Sequence, residues 1–204
     1  MEPRDEVARE AARLIYEGAA EEYKHAKEMA ARSLGLNAMP SNHEVAEELD
    51  LLADKEEGAK RREHLVRLRR EALRLMRALD RYGPVLTGSV WRGTARRGSD
   101  VDINVYSDEP KKVEEALHNE GYEVNSIEEV VVNRAGRTIR AWHISIALGE
   151  SVHAEVVVRP EMERGEVERC EIYGDLKRGL KTAELEKLMR SDPLRKFVPK
   201  RRQR

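Results

Sequence analysis

The sequence predicts an α+β fold, a mixed β-sheet with helices on one face, preceded by an α-helical N-terminal region. Three observations carry this expectation. Apolar residues recur at helical spacing from Val7 to Leu79. The period drops to two at Val101-Asp102-Ile103-Asn104-Val105-Tyr106. Several strand-like runs then follow one intervening helix, an order that places helices against one side of a sheet.

The bulk properties are compatible with that class. A chain of 204 residues fits a domain of ordinary size with a helical extension, and a 40% hydrophobic share is enough for a core. No spanning apolar run or signal peptide is present, so a soluble, cytoplasmic protein with no membrane partner is expected. The single cysteine, Cys170, excludes an internal disulfide and a thiolate-rich metal site, and it lies in a charged stretch with no evident partner for thiol chemistry. Basic residues (38) and acidic residues (39) balance, so total charge does not point to nucleic acid. Local charge does more, because Lys60–Arg81 and Arg195–Arg204 are basic. A charged fraction of 38% with one glutamine, Gln203, resembles a heat-adapted composition.

Taken in order, Val7, Ala11, Leu14, Ile15, Ala26, Met29 and Ala30 read as helix up to Gly35 and Pro40. Ser41-Asn42-His43-Glu44 fits a capping box that opens a second helix, with Val45, Leu49 and Leu52 on its apolar side. Gly58 marks a break, and residues 1–58 are taken as an extension preceding a domain over 59–204. Leu65, Leu68, Ala72, Leu75 and Leu79 form the stripe of a third helix, closed by Gly83-Pro84. Arg67, Arg70, Arg74, Arg77 and Arg81 lie on its other side. They form either a solvated face or a phosphate-contacting stripe. Beyond it come a short strand at 85–87, the alternating strand at 101–106 and a helix over Lys111–Asn119. Strands follow at 124–133 and 138–148, joined by a turn at 134–137, and a further strand spans 152–159. A last helix runs through 183–189 before the basic tail.

The chemistry concentrates in Leu86-Thr87-Gly88-Ser89 and, after a spacer of ten residues, in Asp100-Val101-Asp102. A Gly-Ser turn lets backbone approach phosphate oxygens, and two carboxylates two apart on a strand face the same way and repel unless a cation lies between them. Glu155 interrupts an otherwise apolar strand. It is either a third metal-site acid or a surface residue paired with Arg140 or Arg159. Arg92, Arg96 and Arg97 lie in the spacer, where spacing does not decide which of them reaches a phosphate. Trp91 is read as core, His143 and His153 as structural strand residues, and Lys177 as part of a surface loop.

This pattern resembles the nucleotidyltransferase superfamily that includes DNA polymerase β, most closely the minimal nucleotidyltransferases. The resemblance rests on Leu86-Thr87-Gly88-Ser89, the spacer, Asp100, Asp102 and Glu155, and spans about residues 61–159. It implies Mg2+-dependent transfer of a nucleoside monophosphate from an NTP, ATP or CTP, to an acceptor hydroxyl, with release of pyrophosphate. Gly88 and Ser89, with Arg92 and Arg97, would bind the nucleotide. Asp100, Asp102 and Glu155 would be the catalytic acids and the ligands of two Mg2+ ions, Glu155 also accepting a proton. The acceptor is left open between an RNA end and a protein side chain. The alternatives are a non-catalytic nucleotide- or RNA-binding module that keeps the fold, and a helical interaction protein in which residues 1–58 recruit a partner.

Overall fold

The computed structural model describes residues 2–134, 137–149 and 152–200. They divide into two compact units. The first comprises residues 2–61, 169–176 and 198–200; the second comprises 62–168 and 177–197. Among the described residues, no helix is long and apolar enough to cross a membrane.

The first unit is built on α1 (Pro3–Tyr16), α2 (Tyr23–Leu34) and α3 (Asn42–Glu57). The helical run expected from Val7 to Ala30 is two helices, because the chain turns at Gly18, where φ is 75°. Pro3 opens α1 with Asp5 and Glu6 in its first turn, where the helix dipole favours acids. Val7, Ala11, Ala26, Ala30 and Val45 are fully buried between the three helices. The expected capping box starts α3: Glu44 N–H donates to Ser41 Oγ at 3.2 Å, and Ser41 N–H donates to Glu44 Oε2 at 2.7 Å. Gly58 ends α3, as read from the sequence.

The second unit carries the sheet. In order it contains α4 (Ala59–Ala78) from residue 62 on, β1 (Val85–Leu86), α5 (Gly88–Arg92), β2 (Val101–Tyr106), α6 (Pro110–Asn119), β3 (Glu123–Arg134), β4 (Arg137–Ala147), β5 (His153–Arg159), β6 (Leu180–Lys181) and α7 (Thr182–Ser191). The strands form one sheet in the order β3-β4-β5-β2-β1-β6, mixed because β2 and β5 are parallel and the other neighbours antiparallel. Residues 135 and 136, in the expected turn between β3 and β4, lie outside the described residues. The two-residue β6 is too short to show any period in the sequence.

The α+β class and the one-sided helical layer are as expected. Val101, Ile103 and Val105 of β2 alternate inward with Val156 and Val158 of β5 and with Ile144 and Ile146 of β4, all at 0% exposure. They share a core with Leu68, Leu75 and Leu79 of α4, Leu117 of α6 and Leu185 of α7. The opposite face carries Asp102, Asn104, His143, Ser145, Glu155 and Val157, all half-buried. Alternation on β2, β4 and β5 therefore divides the sheet into an apolar side and an open polar side.

Arg69 ties this unit together. It falls in the basic run Lys60–Arg81 but outside the stripe of five arginines, and it is fully buried. Its Nε donates to the Val90 carbonyl at 3.0 Å and its Nη2 to the Trp91 carbonyl at 2.9 Å, in the last turn of α5. Nη1 and Nη2 reach the carbonyls of Pro193 and Arg195 at 2.7 and 3.0 Å. Burial pulls the guanidinium down to about 10, with Asp192 opposing, so it stays charged at neutral pH and faces the negative end of α5. Arg69→Leu fills similar space but leaves four carbonyls without their donor. It should lower the unfolding free energy of this unit by at least about 3 kcal/mol in urea titrations; a loss under about 1 kcal/mol would remove Arg69 as the tie.

Candidate active site

The site begins where β1 becomes α5. Thr87 N–H donates to the Asp102 carbonyl at 2.8 Å, the last rung of the β1–β2 ladder. The chain then turns at Gly88, whose φ of 65° and lack of a side chain are both required. A Cβ on Gly88 would sit 1.8 Å from Asp102 Oδ2 and 2.8 Å from its Cγ. The Asp102 carboxylate therefore rests directly against the Gly88 backbone, at the start of α5. The first-turn amides of a helix have no carbonyl four residues back, so those of Gly88 and Ser89 are suited to anionic oxygens.

The acids meet through strand register. Asp102 on β2 lies opposite Glu155 on the parallel β5. Asp100 stands just before β2, one residue ahead of the Val101–Ala154 pair. Burial, then the charge of Glu155, then that of Asp100 push the Asp102 carboxyl up to about 6. Asp100 is raised as well, chiefly by burial, with His153 opposing and Glu155 adding to it. The side chains of sequence-predicted Asp100, Asp102 and Glu155 thus act on one another electrostatically. Their oxygen-only donor set and mutual repulsion fit a hard divalent cation such as Mg2+. Among the described residues, no three His, Cys, Asp or Glu side chains are already gathered as a metal cluster.

Glu155 has a definite partner. His143 Nδ1 donates to Glu155 Oε1 at 2.8 Å. Neither arginine considered as its partner fills that role: Arg159 binds Glu163 and Glu168, each at 2.7 Å, and Arg140 lies 3.4 Å from Glu129. Sequence spacing contained no signal for His143, because the contact needs the β4–β5 pairing, in which His143 faces Val157 and Ser145 faces Glu155.

The spacer residues separate. Arg92 is buried, its Nη1 donating to the Phe197 carbonyl at 2.8 Å and its guanidinium lying 4.2 Å over the Trp91 ring. It therefore braces the C-terminal end of α5 rather than standing at the Gly88 end. Arg97 is exposed on the turn before β2 and Arg96 is half-buried. Trp91 is packed in the core, as read from the sequence. All five stripe arginines are exposed, four on α4 and Arg81 in the turn after it, with Arg74 held by Glu71 at 3.0 Å and Arg77 by Glu186 at 2.7 Å.

The raised carboxyl of Asp102 has a consequence for stability. Its folded pKa of about 6 lies above the ordinary aspartate value of about 3.9, so the folded chain holds a proton that the unfolded chain releases. Stability conferred by the neutral form is present at low pH and is lost as pH rises through about 6. Asp102→Asn, neutral throughout, should stabilise the divalent-free protein at pH 7.5 by on the order of 1–3 kcal/mol, with little difference at about pH 3.5. Urea titrations at the two pH values check this; an Asn variant no more stable than the parent at pH 7.5 would refute it.

A family model described as a nucleotidyltransferase domain matches residues 67–177, more than half of the chain. No curated protein matches the sequence. Among solved structures, the chain is similar to Cid1 in complex with the UTP analog UMPNPP, at 24% identity over 47% of this chain and 30% of that one, with a TM-score of 0.33. It is also similar to Cid1 in complex with its short product ApU, at 26% identity over 47% and 31%, TM-score 0.32. A cytoplasmic RNA terminal U-transferase matches at 23% identity over 57% and 34%, TM-score 0.32. The chain spans about a third of the length of each of these structures. The family match covers the Gly88-Ser89 turn, Asp100, Asp102 and Glu155 together, and the chain belongs to the nucleotidyltransferase domain family.

Proposed function

We propose that the protein transfers a nucleoside monophosphate from an NTP to an acceptor hydroxyl and releases pyrophosphate. The observation that carries this reading is the position of Asp102, whose carboxylate lies against Gly88 at the start of α5 and opposite Glu155 across the parallel strands. Phosphate-facing amides and metal-binding oxygens then share one place. The amides of Gly88 and Ser89 and the Ser89 hydroxyl hold the β- and γ-phosphates, and Arg97, on the turn before β2, screens the leaving pyrophosphate. Arg92, engaged with Phe197 and Trp91, keeps α5 in position.

Asp100 and Asp102 would hold two Mg2+ ions, with Glu155 completing one of the two coordination shells. Bound there, the ions would neutralise the triphosphate and the developing charge at its α-phosphorus. The acceptor oxygen forms a bond to the α-phosphorus, the bond to the bridging oxygen breaks, and pyrophosphate leaves with that electron pair. The acceptor's proton passes to Glu155 Oε2 or to water. Holding the reactants in line accounts for most of the acceleration this chain has to supply. The basic stripe on α4 and the basic tail suit an RNA 3′ end as acceptor, and a protein side chain is the other acceptor that the open face of the sheet admits.

A second reading has one observation in its favour. Glu155 is bonded to His143, as in a module that binds nucleotide without turnover. Pyrophosphate release separates the two. The purified protein is incubated with Mg2+, RNA oligonucleotides and cell extract, using each of the four labelled NTPs in turn. The expected result is a labelled acceptor and stoichiometric pyrophosphate. Asp102→Asn should lower the rate at least about 100-fold while still folding. Triphosphate binding without pyrophosphate release would establish the non-catalytic module, and wild-type turnover by Asp102→Asn would show that the acids are misassigned.

A further inference from the structure

We infer that His143 is a positioning residue for the Glu155 carboxylate, an inference that rests on the reading of Glu155 as a site acid. Glu155 is a long side chain on the half-exposed face of β5, opposite an aspartate of like charge. Repulsion and rotamer freedom both favour swinging it out to solvent. The hydrogen bond from His143 Nδ1 to Oε1 opposes this. It comes from β4, the strand antiparallel to β5, and from a residue two positions along from Glu155's own opposite, Ser145. Both side chains therefore leave the sheet on the same open face. The nearest arginine on β5, Arg159, is committed to Glu163 and Glu168, so the imidazole provides the described hold on this carboxylate.

The choice of histidine has a chemical reason. A guanidinium grips both oxygens of a carboxylate, which occupies the group. One ring nitrogen takes one oxygen, and Glu155 keeps its second for a cation or an acceptor proton. Groups that hydrogen-bond a ligating carboxylate fix its orientation, and their loss typically costs about 10- to 100-fold in metal affinity or activity.

The test compares His143→Ala, His143→Asn and His143→Gln. Asparagine places its amide nitrogen close to where Nδ1 stands, whereas glutamine carries its amide out to the position of Nε2. His143→Ala should lower kcat about 10- to 100-fold with the KM for NTP within about twofold, and His143→Gln should behave like it. His143→Asn should recover most of the rate. In a Glu155→Gln background, His143→Ala should add nothing further. Calorimetric titration with Mn2+ alone supplies a readout independent of turnover: His143→Ala weakens binding about tenfold, and His143→Asn restores it. Equal Mn2+ affinity in the parent and His143→Ala overturns the inference, and so does a kcat loss that asparagine does not repair or that persists in the Glu155→Gln background. A parent protein that is inactive with all four NTPs yet loses Mn2+ affinity on His143→Ala overturns the proposed reaction and leaves the positioning role standing.

Discussion

The contact between the Asp102 carboxylate and the Gly88 backbone is the constraint on which the rest of the site depends. A side chain of any size at Gly88 would overlap that carboxylate, and the left-handed φ at this residue is what lets β1 turn into α5 at that point. Because Thr87 is still hydrogen-bonded to the Asp102 carbonyl, the turn cannot drift along β2. The first-turn amides of α5 and the Asp102 carboxylate are thereby fixed to each other by two backbone features rather than by flexible side chains. Such preorganisation is the contribution a protein makes when the chemistry consists of positioning and charge neutralisation.

That contact is held from behind. Arg69 gathers the carbonyls that end α5 together with those of Pro193 and Arg195, and Arg92 exchanges backbone and side-chain hydrogen bonds with Phe197. A five-residue helix has almost no intrinsic stability, since its nucleation cost is never recovered by propagation. Here a buried cation at its C-terminal end and a chain segment packed against Gly93 supply the missing stabilisation. Two arginines of the basic and spacer stretches thus act on the protein's own backbone carbonyls.

The open face of the sheet follows from the charge of the site. Asp102 is pushed towards neutrality by burial and by Glu155 and Asp100, so covering this face with a helix would raise the cost further. The helices of this unit, α4 to α7, share the core lined by Val101, Ile103, Val105, Val156 and Val158. Asp102, Glu155, Asn104, Ser145 and His143 are left half-buried on the other face.

Much of this was legible in the sequence because the signals are local. The period-two alternation of 101–106 fixed β2 and its two faces, Ser41 and Glu44 announced the start of α3, and the Gly88-Ser89 turn with Asp100 and Asp102 pointed to the family. Those features depend on backbone conformation and on residues within one turn or one strand. What the tertiary structure decided lies in pairings between distant residues. Gly18 splitting α1 from α2 was obscured by apolar spacing that continues in phase on both sides. The two-residue β6 exists only because β1 offers an edge. Arg92, read from the sequence as nucleotide-binding, and Arg69, on which the sequence is silent, are buried because the segment 193–197 is laid against α5. The partner of Glu155 followed from strand register, which set His143 diagonally across from it and sent Arg159 to Glu163 and Glu168. Local chemistry is written in adjacent residues, whereas the neighbour that completes a site is set by which strands pair and in what register.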